Sequence, residues 1–166
     1  WVAAFGALAW CLGHAVQAAL ARSGLARDTL EIEITESCLM HDDDATLDLL
    51  HRLKREAGVR LVVDDFGTGY SSFGSLRRLP VDKLKIDRSF VRDVASDKTD
   101  AALVAAIVSI AKTLALDVTV EGVETRAQLE RLRSLGCTMV QGHLLGKPMS
   151  AAELGRRLAV SGTPRH

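Results

Sequence analysis

Short β-prone runs alternate with helix-forming stretches along nearly the whole chain, and this rhythm limits the fold more than any other feature. Ala15–Ser23 reads as helix and stops near Gly24. Glu31–Thr35 is a short β-prone run, and Asp43–Ala57 has helical spacing through Leu47, Leu50 and Leu53. Three aspartates at its start suit the positive end of a helix. Val59–Val63 reads as a buried strand, and Ser71–Leu79 as a short helix stopped by Pro80. Lys83–Ile86, Val118–Val120 and Thr138–Val140 read as strands. Thr99–Leu116, Arg126–Leu135 and Ala151–Leu158 read as helices. Five β–α units with short connections predict parallel strands joined by helical crossovers.

The chain of 166 residues is long enough for one domain with a true core. Lysine plus arginine balance aspartate plus glutamate at 21 each, so no basic surface calls for a nucleic-acid polymer. Cys11, Cys38 and Cys137 are odd in number and form no CxxC pair, which speaks against a disulfide framework or zinc ribbon. A reducing cytoplasm is the setting this predicts, with a membrane-anchored parent allowed for. His14, His41, His51, His143 and His166 are scattered. Trp1–Leu20 carries no charged side chain, but its alanine and glycine content makes it modestly hydrophobic, so a barrel-type helix is expected there rather than a membrane span.

Polar residues collect where the strands end. The first run contributes Glu33 and Glu36, the second Asp64 and Asp65, and the third Lys85 and Asp87. The fourth contributes Glu121 and Glu124, and the fifth Gln141. Carboxyl ends of parallel strands face one side of an α/β fold, where sites are built. Clustered carboxylates repel unless a cation offsets them, and hard divalent ions with oxygen ligands, magnesium or manganese, are the natural choice. Each residue also has a plain reading. Asp64-Asp65 before Phe66-Gly67 could be a turn, Lys85 a solvated strand lysine, Glu33 a sheet-edge charge, and Asp87 a cap. The loop Gly67-Thr68-Gly69-Tyr70-Ser71-Ser72 lacks the Gly-Lys-Ser/Thr ending of a P-loop, and a mobile lid beside the acids suits it better.

Five runs carry a resemblance: Glu33-Ile-Thr-Glu36-Ser37, Asp64-Asp65-Phe-Gly-Thr-Gly-Tyr-Ser-Ser72, Lys85-Ile-Asp-Arg-Ser-Phe-Val91, Glu121-Gly-Val-Glu124-Thr125, and Gln141-Gly142 with Lys147-Pro148. Together, over about 20–158, they resemble the EAL domain family. The resemblance implies an α/β fold of the (β/α)8 TIM-like barrel type. Here the barrel is expected to be incomplete, with about five βα units and without the first strands. It implies metal-dependent hydrolysis of cyclic di-GMP to the linear dinucleotide pGpG, with two magnesium or manganese ions. Glu33 and Asp64 resemble ligands of one ion; Asp64, Asp65 and Glu121 resemble ligands of the other. Lys85 resembles the residue that contacts the attacking water, Gln141 one beside it, and Glu36 the one that fixes the Asp65–Ser72 loop. Asp87 and Glu124 resemble residues that support the site or touch substrate.

The family's Glu-Ala-Leu motif, its following arginine and an asparagine ligand are not found in this chain, which contains no asparagine at all. One N-terminally truncated domain over 1–166 is therefore expected, with a tail at 161–166. The alternative to catalysis is a cyclic di-GMP receptor module or an inactive fragment. Family habit further suggests a homodimer near the Asp65–Ser72 loop and an upstream sensory or cyclase domain. Five strands cannot close an eight-stranded barrel, so either the apolar first residues cover an open edge or the chain pairs with a second copy or aggregates.

Overall fold

A computed structural model describes residues 2–39, 44–69 and 73–160. Helix α1 (Val2–Ser23) leads to strand β1 (Glu31–Thr35), then α2 (Glu36–Leu39) and α3 (Asp44–Ala57). Strand β2 (Arg60–Phe66) is followed by α4 (Phe73–Leu76), β3 (Lys83–Ile86) and α5 (Lys98–Thr113). Strand β4 (Asp117–Val120), α6 (Arg126–Ser134), β5 (Met139–Val140) and α7 (Ala151–Val160) complete the order. The five strands form one parallel sheet in the order β1-β2-β3-β4-β5, the α/β arrangement the alternation predicts.

Several expected boundaries shift. The first helix starts far upstream of Ala15, at Val2. Strand β2 continues past Val63 through both aspartates to Phe66, so Asp64 and Asp65 lie within the strand. The helix expected over 71–79 is only one turn long, Phe73–Leu76. Asp42, Asp43, His41, Tyr70–Ser72 and the 161–166 tail lie outside the described residues. Helix α1 packs mainly on α3, with Leu20 buried and Gln17 Nε2 donating to the Glu56 carbonyl at 2.7 Å. No helix among the described residues is long and apolar enough to cross a membrane.

Strand alternation divides the sheet into two unlike faces. Leu61, Val63, Leu84, Ile86, Val118 and Val120 point to the helices and join the main core. Helix α5 meets them with Ala101, Val104, Ile107, Val108 and Ala111, one stripe at helical spacing. Each valine, leucine or isoleucine buried in this way contributes about 1.5–3 kcal/mol. Asp97 starts α5 by accepting hydrogen bonds from the Thr99 and Asp100 amides. The opposite face carries Glu31 and Glu33, Arg60 and Asp64, Lys83 and Lys85, and Asp117, with fully buried Val62 among them, so β2 is buried on both faces at its middle.

The N-terminal end of that polar face is charge-balanced. Glu31 pairs with Lys83, which is buried, and Arg60 bridges Glu31 and Asp117. Below it, Asp82 accepts from Lys54 Nζ at 2.7 Å and from the Leu61 amide at 2.9 Å. Burial alone would raise the Asp82 pKa, but the Lys54 and Leu61 hydrogen bonds reverse this and hold it below its usual value. A carboxylate with a depressed folded pKa stabilises the fold above its unfolded value, and that contribution is lost as pH falls. Stability is therefore expected to drop as pH falls through and below about 4, the ordinary aspartate range. Asp82→Asn should flatten this acid limb in urea melts taken between about pH 6 and pH 3.

Candidate active site

The carboxyl end of the polar face is unlike the N-terminal end: one ammonium meets three carboxylates. Lys85 Nζ lies 2.8 Å from Glu33 Oε1, 3.0 Å from Asp64 Oδ1 and 2.8 Å from Glu121 Oε1. The lysine is buried, against its plain reading as a solvated strand residue. Desolvation pulls its pKa down, but the contacts with Glu121, Glu33 and Asp64 outweigh it and the net shift is upward. Lys85 is therefore an ammonium at neutral pH, a donor and not a base. Glu33 reaches it diagonally: its Cα partner is Val62, which pairs with Lys83, yet its carboxylate meets the lysine two residues further on. Such a stagger is the geometry of barrel strands.

Consecutive strand residues point to opposite faces, so Asp64 and Asp65 could not both serve one site in a regular strand. The pairing of β2 with β3 resolves this. Val63 pairs with Leu84, but Phe66 pairs with Ile86, so β2 carries one extra residue opposite Lys85. This is a β-bulge, and Asp65 sits in it at φ 55°, in the left-handed region. Non-glycine residues rarely adopt that region, and aspartate is among the tolerant ones. The bulge turns both carboxylates toward Glu121. One oxygen from each of Asp64, Asp65 and Glu121 lies within 4.8 Å of the others.

These three residues fit a hard cation. All donors are oxygen, as magnesium and manganese prefer. Asp64 Oδ1 is buried, and Lys85 Nζ, 3.0 Å away in an ion pair, is its partner among the described residues. That one ammonium is shared with Glu33 and Glu121, so negative charge is left over for a cation to offset. Glu33 lies outside this three-carboxylate group and is held by Lys85.

Glu36, at the start of α2, is buried, and its Oε2 accepts from the Gly67 amide at 2.8 Å and the Gly69 amide at 3.1 Å. It ties the loop after β2 to the end of β1. Glu36→Ala should leave two partly buried amides without their acceptor, at a cost of about 1–3 kcal/mol. Faster hydrogen exchange at Gly67 and Gly69 is the expected readout, and unchanged exchange at both would refute the tie.

The remaining residues are placed less centrally. Asp87 accepts from the Ser89 amide at 2.9 Å and caps the 3-10 helix Arg88–Phe90. Burial raises its pKa, but the Ser89 and Arg88 interactions bring it below the usual value. Glu124 is exposed, and its amide donates to Gln128 Oε1. Gln141 is exposed just after β5, with its amide bonded to the Val120 carbonyl at 2.8 Å. Sequence reasoning missed Gln128, a buried polar residue whose visible signal was the Thr125-x-x-Gln128 capping pattern.

Fold and rim together define the class: a barrel-type α/β protein with an oxygen-rich site at the carboxyl ends of its strands. The chain belongs to the EAL domain family, whose model matches residues 11–148. That span begins nine residues earlier and ends ten earlier than the motifs suggest. The chain is 50% identical over 143 residues to the "Bifunctional diguanylate cyclase/cyclic di-GMP phosphodiesterase MucR" of Pseudomonas aeruginosa, covering 86% of this chain and 21% of that protein. It is also 50% identical over 139 residues to "Cyclic di-GMP phosphodiesterase NbdA" of the same organism, covering 84% of this chain and 18% of that one. The chain thus spans about a fifth of the length of these relatives.

Among solved structures, the PaMucR phosphodiesterase in complex with c-di-GMP superposes at TM-score 0.76 and 51% identity, over 82% of this chain and 55% of that one. The EAL domain of Mycobacterium smegmatis DcpA superposes at 0.83 and 39% identity, over 92% of this chain and 68% of that one. Klebsiella pneumoniae BlrP1, in a manganese/cy-diGMP complex, superposes at 0.72 and 38% identity, over 78% of this chain and 33% of that one.

Proposed function

We propose that this chain carries the metal-binding half of a cyclic di-GMP phosphodiesterase site that opens one phosphodiester to give pGpG. The observation that carries the reading is the meeting of Asp64, Asp65 and Glu121, three carboxylates beside the single ammonium of Lys85. The relatives named as cyclic di-GMP phosphodiesterases and the neighbour solved with manganese support it.

In this reading Asp64, Asp65 and Glu121 would hold one magnesium or manganese ion, and Glu33 with Asp64 would hold part of a second. When bound, such ions lower the pKa of a coordinated water and offset charge on phosphoryl oxygens. Lys85, fixed as an ammonium, donates to the attacking water or to a phosphoryl oxygen as negative charge grows there. Gln141 orients the same water from the end of β5, and Glu36 holds the loop over the acids. Asp87 and Glu124 shape the rim. A cytoplasmic setting and a cyclase or sensory domain in the same polypeptide belong to the proposal.

The test is incubation of cyclic di-GMP and Mn2+ with this chain and with one extended upstream to carry the Glu-Ala-Leu motif, read by chromatography. Appearance of pGpG with the extended chain is the expected result. Binding without cleavage would make the chain a receptor module, and neither binding nor cleavage would overturn the reading.

A further inference from the structure

The β4–α6 loop, which carries Glu121 and Glu124, is held to its neighbours by one buried amide. Gln128 Oε1 accepts from the Glu124 amide at 2.8 Å and the Thr125 amide at 2.9 Å. Its Nε2 donates to the Val91 carbonyl at 3.2 Å and the Arg92 carbonyl at 3.1 Å. Two amides on one side and two carbonyls on the other fix which end is oxygen and which nitrogen. All four hydrogen bonds an amide can readily make here are made, and the side chain is buried. Half of this set is an ordinary capping box with Thr125, which needs only an acceptor oxygen. The other half has no role in starting α6. It joins the loop after β4 to the turn after β3, 36–37 residues away.

The same two loops touch at a second point. Gly122 follows Glu121 at φ 73°, and a Cβ there would lie 2.5 Å from Arg88 Cβ. The loops therefore meet without a side chain between them, directly above the strands that carry Lys85 and Glu121. Glu121 itself has its amide on the Ile86 carbonyl at 3.1 Å.

We propose that Gln128 is a positioning residue for Glu121: its amide clasps the β4–α6 loop to the turn after β3 and so sets the reach of Glu121 to Lys85 and Asp64. The proposal rests on the metal reading of the rim. Partners one step behind a metal ligand typically change affinity by about 10–100-fold when lost.

Gln128→Glu separates the two halves of the amide. A glutamate keeps the acceptor for the Glu124 and Thr125 amides, so the cap on α6 survives. It has no N–H for the Val91 and Arg92 carbonyls, so the clasp opens. Mn2+ affinity by calorimetric titration should fall about tenfold or more. Hydrogen exchange should quicken in both 88–92 and 121–125. Thr125→Ala is the contrast: it removes the cap bond to the Gln128 amide, should lower the melting temperature, and should leave Mn2+ affinity within about twofold. Should Gln128→Glu not fold, Gly122→Ala parts the same loops from the other contact and should also weaken Mn2+. The proposal is overturned if the folded Gln128→Glu chain, or Gly122→Ala in its place, binds Mn2+ as tightly as the parent, or if Thr125→Ala weakens it equally. An unmodified chain that binds no Mn2+ refutes the metal reading itself, and the clasp with it.

Discussion

Asp64→Asn should weaken Mn2+ binding by at least about 100-fold and reduce cyclic di-GMP cleavage below detection, while the fold melts no lower than the parent; the 100-fold loss corresponds to about 2.7 kcal/mol. The argument is electrostatic. Asp64 is the one carboxylate assigned to both ions, and its Oδ1 lies 3.0 Å from Lys85 Nζ, a contact that the carbonyl oxygen of an asparagine can still accept. The amide that replaces it is nearly isosteric but neutral, and one of its two ends is a donor that repels a cation. Stability should not suffer, because one of three like charges around Lys85 is removed. Lys85 keeps Glu33 and Glu121 at 2.8 Å each. Calorimetry, chromatography and a thermal melt on the same preparation check all three parts. Retained Mn2+ affinity would sink the bridging assignment.

Gly142→Ala is expected to cost about 3 kcal/mol or more, at the upper end for overpacking. The added Cβ would stand 2.1 Å from the Val123 carbonyl oxygen and 2.3 Å from its nitrogen. Those are backbone atoms, so no side chain can swing away. The clash also falls between two hydrogen bonds that splice the loops, Val123 amide to Gln141 carbonyl and Leu144 amide to Val123 carbonyl, each 3.0 Å. Forcing them apart should lower the urea midpoint without changing the slope if the native state stays compact. A variant as stable as the parent would mean that the loops can part without cost.

Much of this was legible in the chain itself. The β–α rhythm gave the parallel sheet, and polar residues near strand ends marked the rim, because both are local patterns with a fixed period. Boundaries were less legible. Asp64-Asp65 reads as a turn because two adjacent acids are poor strand formers, yet Asp64 pairs with Thr35 of β1 and Phe66 with Ile86 of β3, which carries β2 through both acids. Lys85 reads as solvated, and only burial among three carboxylates, contributed by segments up to 52 residues away, shows otherwise. Gln128 shows its cap pattern in sequence, but not the pair of carbonyls 36–37 residues upstream.

By itself the sequence determined the fold class and the family, and it named the residues proposed to bear the chemistry, because residue type and period are written locally. Only the tertiary structure decided how those residues are grouped. It set Asp64, Asp65 and Glu121 together and left Glu33 on Lys85. The reason is physical: distances between strand ends depend on register, stagger and one extra residue in β2, and these arise from pairing between segments that no local pattern specifies.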